Sequence, residues 1–463
     1  MITKLKTLQV LCIFFMGPFT VHSVQALGLV EAYSLALRND PGFQAAIKEN
    51  EASQEIKNIA RAALLPQISA SYQTSPHNRQ KREYTSTNFF GEEHHVIEHE
   101  KYKSYSGSLT LTQPVFDYEA WSRYQMGIAQ TLMSNAKYHS SLLDLAVRVT
   151  NAYLDLTNAR DQLDLAYTQT RSYEQQLKQN RAMLQGGEGT LTDISETEAA
   201  YNLAKAHQIE AHDTMESSER LLGSLIGISF SKINGVQSLH QHRFTLIDIT
   251  PSTYEEWEKI ALKNNPVIAE KQRGMDVAKY DIERNRSGFL PVVNLYATHS
   301  VNDSSTSTTI GQRYNTDSVG LQISLPIYSG GETLAATRQS KARYEQAMYE
   351  RDAQILNILN ELHTQFSLVK SSKEKISAYE YAVRNAEVRI ASTEKSVVAG
   401  QRVNLDVINA TQQLYLARRE LTNAKYTYIK AYVNLLNNSG TLKYKDIIRI
   451  SRYFTPINNS ITQ

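Results

Sequence analysis

Two histidines and a glutamate at zinc-protease spacing are the first residues in this chain that could do chemistry: His95-Val96-Ile97-Glu98-His99. On a helix, His-x-x-Glu-His sets both imidazoles on one face to hold zinc and leaves the glutamate to activate a water. That chemistry needs a helix, a buried cleft and a third ligand. Here the flanks are Glu92, Glu93 and Glu100, with no apolar face to bury. The stretch is expected to be a solvated loop between strands. The single cysteine, Cys12, lies inside an apolar N-terminal run. No disulfide, thiolate metal site or cysteine nucleophile is expected. The reading is of a protein that is not an enzyme, with no catalytic residue, cofactor or metal.

The elements that must position any site begin after residue 26. Met1 to Ala26 carries Lys4 and Lys6, an apolar run from Leu8 to Phe19, and the small-residue end Val24-Gln25-Ala26, the pattern of a secretory signal peptide. Removing it takes two lysines from 49 basic residues against 47 acidic ones and leaves the rest formally neutral, so no nucleic-acid partner is expected. No later stretch is apolar for long enough to make a transmembrane helix.

The remaining chain is a duplication. Ala36-Leu37-Arg38-Asn39-Asp40-Pro41 is echoed by Ala261-Leu262-Lys263-Asn264-Asn265-Pro266, and Leu65-Pro66 by Leu290-Pro291, both at an offset of 225 residues. Gln113-Pro114-Val115-Phe116 corresponds to Leu325-Pro326-Ile327-Tyr328. Such a period means two copies of one large unit rather than a solenoid. The copies are taken as 27–240 and 241–440, with 441–463 a C-terminal tail whose end, from Tyr453, reads as loose.

Each copy holds two alternating stretches, at about 67–75 and 105–115, then 292–301 and 317–326. Ile68, Ala70 and Tyr72 oppose Gln67, Ser69 and Ser71; Val319, Leu321 and Ile323 oppose Ser318, Gly320 and Gln322. Period-two patterning of this length suits a tilted strand crossing a membrane, with a Ser/Thr/Asn/Gln face toward a watery lumen. Four strands cannot close a membrane barrel, and an open edge is not viable in lipid, so the chain must oligomerise. Long polar loops are expected at Pro76–Ser104 and Asn302–Asn315.

Helices too long for a globular core follow, at about 119–185 and 332–398, each with a return helix, at about 191–227 and 404–438. Leu145, Val149, Ala152 and Leu156, and likewise Ile358, Leu362, Val369 and Ile376, keep coiled-coil steps, and at 1.5 Å per residue the outgoing helices reach about 100 Å. The turns carry Gly187, Gly189 and Gly400, which relieve the left-handed residue at a helix end, and Thr190 or Asn404, which can cap the next helix. Asp193 and Asp406 stand in the first turns of the return helices, where a carboxylate favours the helix dipole.

Signal, doubled strand–strand–helix–helix unit and glycine turns together resemble the TolC family of outer-membrane channel-tunnels, over about residues 27–450. The likeness rests on the repeated Ala-Leu-x-Asn-x-Pro and Leu-Pro, on Pro326-Ile327-Tyr328-Ser329-Gly330-Gly331, and on Gly400 through Asp406. Glu188-Gly189-Thr190, Thr192-Asp193 and Val403-Asn404-Leu405-Asp406-Val407 resemble the branch serving type I protease secretion. The resemblance implies an α+β membrane protein, a homotrimer whose twelve-stranded outer-membrane β-barrel continues into a long periplasmic α-helical coiled-coil barrel. It implies a passive duct for an exported protein, worked by a periplasmic adaptor and an inner-membrane ABC transporter. The entrance gate would then use Asp406, with Asn409 in place of the family's second ring acid, and links from Thr192 and Asp193 to Arg402. The family's linking tyrosine falls at Val397. The adaptor would dock on the tips at Gly187, Gly189, Gly400 and Val403. The rival readings are a drug-efflux channel and a pore-less periplasmic coiled coil.

Overall fold

The computed structural model describes residues 26–228, 235–240, 244–304 and 312–455. The expected signal peptide, apart from Ala26, lies outside the described residues, as does Cys12.

The repeated Asn-x-Pro motif proves to be a helix junction. α1 (Leu29–Asn39) stops at Asp40 and α2 (Pro41–Gln54) starts there, with the Asp40 carboxylate accepting from Phe43 N–H at 2.7 Å. In the second copy α6 (Tyr254–Asn264) stops at Asn265 and α7 (Pro266–Arg286) starts, with Asn265 Oδ1 accepting from Val267 and Ile268 N–H. Proline is tolerated at the first helical position and holds the preceding residue extended, so one short motif ends one helix and caps the next. α3 (Ile56–Ala62) follows α2 and delivers the chain to the first strand.

β1 (Gln67–Thr87), β2 (Glu93–Phe116), β4 (Val292–Ser304) and β5 (Gln312–Ser324) form one antiparallel sheet in the order β1-β2-β4-β5. Its register aligns Ile68, Leu111, Ala297 and Val319 in one row across the sheet. That face is exposed, with Ile68 at 70% and Val319 at 77%, as a lipid-facing surface is. β1 and β5 are the edges, each without a partner within one chain.

The expected loop at 76–104 is corrected. β1 and β2 run on as a two-stranded ribbon from Asn78↔Tyr102 to Thr87↔Glu93 and turn only at residues 88–92. Hydrophobic alternation is missing there because both ribbon faces meet water. Of the second expected loop, 302–304 and 312–315 are strand, and 305–311 lie outside the described residues.

α4 (Tyr118–Gln185) and α8 (Glu332–Val398) are the outgoing helices; α5 (Leu191–Ile226) and α9 (Asn404–Asn438) return and pack against them. Leu145, Val149, Ala152 and Leu156 on α4 and Ile358, Leu362, Val369 and Ile376 on α8 are buried. Among the described residues no helix is long and apolar enough to cross a membrane.

The second correction concerns the tail. α10 (Tyr444–Ser451) packs Ile447 and Ile450 into the core, and β6 (Phe454–Thr455) pairs with β3 (Ser238–Leu239). Tyr453 and Phe454 are buried, and Phe454 lies edge-on to Tyr153 at 5.4 Å. Tyr153 in turn donates to Leu27 C=O at 3.1 Å, so both ends of the described chain meet in one core. Residues 456–463 lie outside it.

Candidate functional site

The His-x-x-Glu-His stretch lies on β2, not on a helix. His95 and His99 point to one side of the strand about 13 Å apart, and Glu98 points to the other. A single zinc ion cannot be held by that geometry.

The two helical tips are built differently in the two copies. At the first, Gly187 takes φ 82, and a side chain at Gly189 would lie 2.9 Å from the Leu184 amide nitrogen. Thr190 then caps α5: its hydroxyl accepts from Asp193 N–H at 3.1 Å, and the Asp193 carboxylate accepts from Thr190 N–H at 3.1 Å. This reciprocal pair satisfies two end donors of the helix without outside help. Thr192 beside it is exposed.

At the second tip Gly400 takes φ 70, and Val403 occupies the cap position with no side-chain bond. Asn404, expected as the cap, turns away from its own helix. Its Nδ2 donates to Thr197 Oγ1 at 3.0 Å and to Asp193 C=O at 3.5 Å, and its Oδ1 accepts from Gln176 Nε2 at 2.8 Å. Asn180 completes the group by donating to Thr197 Oγ1 at 2.7 Å. Thr197 and Asn180 are buried. One side chain of the second copy thus engages both helices of the first.

Arg402, in the turn before α9, does not join this group within one protomer: its ion pair is with Asp406, 3.9 Å away in the first turn of α9. Both partners are solvated, which makes such a pair weak. Asn409 is exposed and Val397 half-buried. Asn404 was read in the sequence only as a cap, and Gln176, Asn180 and Thr197 were not singled out, because a neutral side chain within a long helix carries neither charge nor apolar period to mark it.

Above the tips the polar contacts continue between α4 and α9. Tyr173 hydroxyl donates to Ile408 C=O at 3.3 Å, and Gln162 and Asn158 donate to Asn423 Oδ1 at 3.1 and 3.2 Å. Tyr426 hydroxyl donates to Asp161 at 2.7 Å, and Lys430 pairs with Asp155. Burial pushes the Asp161 carboxyl up to about 6, with the Tyr426 hydroxyl opposing the shift. The seam between the copies is a ladder of hydrogen bonds. Within the second copy, Arg418 and Glu387 pair at 2.7 Å between α9 and α8.

Four membrane strands, unpaired sheet edges, paired coiled-coil hairpins and a polar seam ending at glycine turns describe one protomer of a channel. Residues 32–228 and 257–441 match the family described as outer membrane efflux protein, and the chain belongs to that family. Its members are outer-membrane channels rather than enzymes, assembled as trimers that work with adaptor and inner-membrane transporter partners. The chain is 42% identical to the alkaline protease secretion protein AprF of Pseudomonas aeruginosa, covering 93% of this chain and 88% of that one. It is 37% identical to the proteases secretion protein PrtF of Dickeya chrysanthemi, covering 93% and 92%. It is 26% identical to the outer membrane protein TolC of Vibrio cholerae, covering 93% and 94%. Among solved structures, the outer membrane protein VceC from Vibrio cholerae superposes with a TM-score of 0.76 at 16% identity, covering 89% of this chain and 96% of that one. That likeness shows the fold of the chain, a four-stranded sheet joined to long paired helices as in a TolC-like α+β channel.

Proposed function

We propose that this chain is the outer-membrane duct of a type I secretion system, passing an unfolded protein such as a protease from the periplasm to the exterior. The observation that carries this reading is the identity, over 93% of the chain, to two proteins named for protease secretion. An inner-membrane ABC transporter supplies the energy, and a periplasmic adaptor docks on the tips around Gly187, Gly189, Gly400 and Val403. The duct itself does no covalent chemistry.

The entrance is opened by moving the second hairpin away from the first. Asn404 is the bond that must break, because it alone at the tips ties α9 to both α4 and α5 in the described residues. Asp406 and Asn409 face the entrance as a ring of three carboxylates and three amides in the trimer. Thr192, Asp193 and Arg402 lie near that ring, with Asp193 serving chiefly as a cap.

Secretion in a deletion strain, complemented with this gene beside candidate transporters, tests the reading. Loss of an extracellular protease with unchanged drug resistance is the expected result. Drug sensitivity with normal secretion would make the chain an efflux channel, the alternative that its lower identity to TolC supports less well.

A further inference from the structure

The ribbon beyond the membrane has two unlike faces, and one irregularity creates them. Between Ser75↔Ser104 and Asn78↔Tyr102 the register slips by one residue. Below the slip, even-numbered β1 residues share the lipid-facing side with Leu109 and Leu111: Ile68 sits opposite Leu111, and Tyr72 opposite Gly107. Above it the parity of β1 reverses, because one extra residue turns every later side chain to the other face. Arg79 now lies opposite Lys101 and Lys81 opposite His99, on the side that continues the lipid-facing surface. Without the bulge, Arg79 and Lys81 would point to the lumen side.

The two faces differ in charge logic. On the lumen side Arg82 lies opposite Glu98, an opposite-charge pair, and Arg82 also covers the Tyr84 ring at 5.3 Å. On the lipid side Arg79 faces Lys101, a like-charge pair of the kind that destabilises a sheet unless an anion is present. Lys81 is partly compensated by Glu83. Among the described residues Arg79, Lys101 and Lys103 form no ion pair, and Asp303, opposite Tyr105 on the same face, accepts from the Tyr105 hydroxyl at 3.0 Å. They line a cavity of about 580 Å³ with Pro76, His77 and Tyr102.

The height of this cavity names its ligand. From Phe116 to Tyr105 the lipid side of β2 spans about 25–30 Å along the membrane normal for a strand tilted near 40°. Tyr72 and Tyr105 stand where the outer aromatic girdle of a barrel belongs. Lys103 and Lys101 follow one and two rows further out, at the level of outer-leaflet headgroups.

We propose that the bulge cavity binds the phosphate groups of the anionic, phosphorylated glycolipid of the outer leaflet. Arg79 supplies a planar fork for one phosphate, and Lys101 and Lys103 supply point charges on the same side. The bulge is what aims Arg79 at the lipid.

The test uses the full trimer in nanodiscs containing lipopolysaccharide, dephosphorylated lipopolysaccharide or phosphatidylethanolamine alone, and counts glycolipid copies retained on transfer to mild detergent. Wild type retains the phosphorylated lipid and releases the dephosphorylated one. The combined Arg79→Gln, Lys101→Gln, Lys103→Gln variant binds on the order of 100-fold more weakly, at about fivefold per cation. Should that variant fail to form heat-stable trimers, Lys103→Gln alone decides, at about fivefold. Inserting one serine between Tyr102 and Lys103 pairs the extra β1 residue, turns Arg79 and Lys101 to the lumen side while keeping every lysine and arginine, and weakens retention as well. Equal retention of dephosphorylated lipid, wild-type retention by the charge variants, or wild-type retention after the serine insertion would each overturn the proposal.

Discussion

The two helical tips descend from one duplicated turn, yet they solve the end of the hairpin differently. The first closes on itself: Thr190 and Asp193 cap each other, and Gly189 packs against its own incoming helix. The second leaves its helix start without a side-chain cap and spends its polar residue, Asn404, on the other copy. A self-sufficient tip can stay folded wherever its neighbour moves. A tip held through one cross-copy amide can be released without unfolding. On the proposed reading, the first hairpin is the fixed wall and the second the moving one.

Breaking Asn404 should have the largest effect. Asn404→Ala removes three hydrogen bonds and leaves Gln176 and the Thr197 group short of partners, a loss of about 3 kcal/mol at the seam. Single-channel conductance in planar bilayers should rise severalfold. Wild-type conductance would mean that neighbouring protomers hold the second tip instead.

The next effect sharpens the seam above the tips. Asp161 has a folded carboxyl near 6 against an ordinary value of 3.8. An acid whose folded value is raised binds its proton more tightly when folded, so stability is greatest below about 4 and falls as pH rises to about 6. After discounting for its partial solvation the loss is about 2 kcal/mol per chain. Trimer melting temperature should therefore drop between pH 4.5 and 6.5 by more in wild type than in Asp161→Asn, which keeps an acceptor for Tyr426 without the charge. Parallel curves would remove Asp161 from the seam's pH response.

Thr190→Ala should cost about 1 kcal/mol and act only locally, raising amide exchange at Leu191 to Ile194 while conductance stays unchanged. A conductance change would contradict the fixed-wall assignment. Asp406→Ala should matter least, under about 0.5 kcal/mol, because its pair with Arg402 is long and solvated. If its conductance rose as far as that of Asn404→Ala, the ring acid and not the cross-copy amide would be the latch.

Long apolar periods made most of the architecture readable in the sequence. The steps through Leu145 to Leu156 and the alternation through Val319 to Ile323 each report a face buried against protein or lipid, and such faces leave a period behind. What stayed hidden has no such face. The ribbon at 78–103 is wet on both sides, so charge replaced alternation and it read as a loop. α10 has only eight residues, too few for Ile447 and Ile450 to show a period. Asn404 was visible as a residue, but only the packing of α9 against α4 and α5 could reveal that its partners lie 207 and 228 positions away.

The meeting of both chain ends in one core bears on how the protein is made. Leu27, near the start, and Phe454, near the end, both rest on Tyr153. A chain that is still emerging into the periplasm lacks α10, Tyr453 and Phe454, and leaves the surface that they cover open to water. The last residues to emerge therefore close the core that the first residues of the described chain begin, and a chain cut short of α10 leaves Tyr153 and Leu27 without that cover.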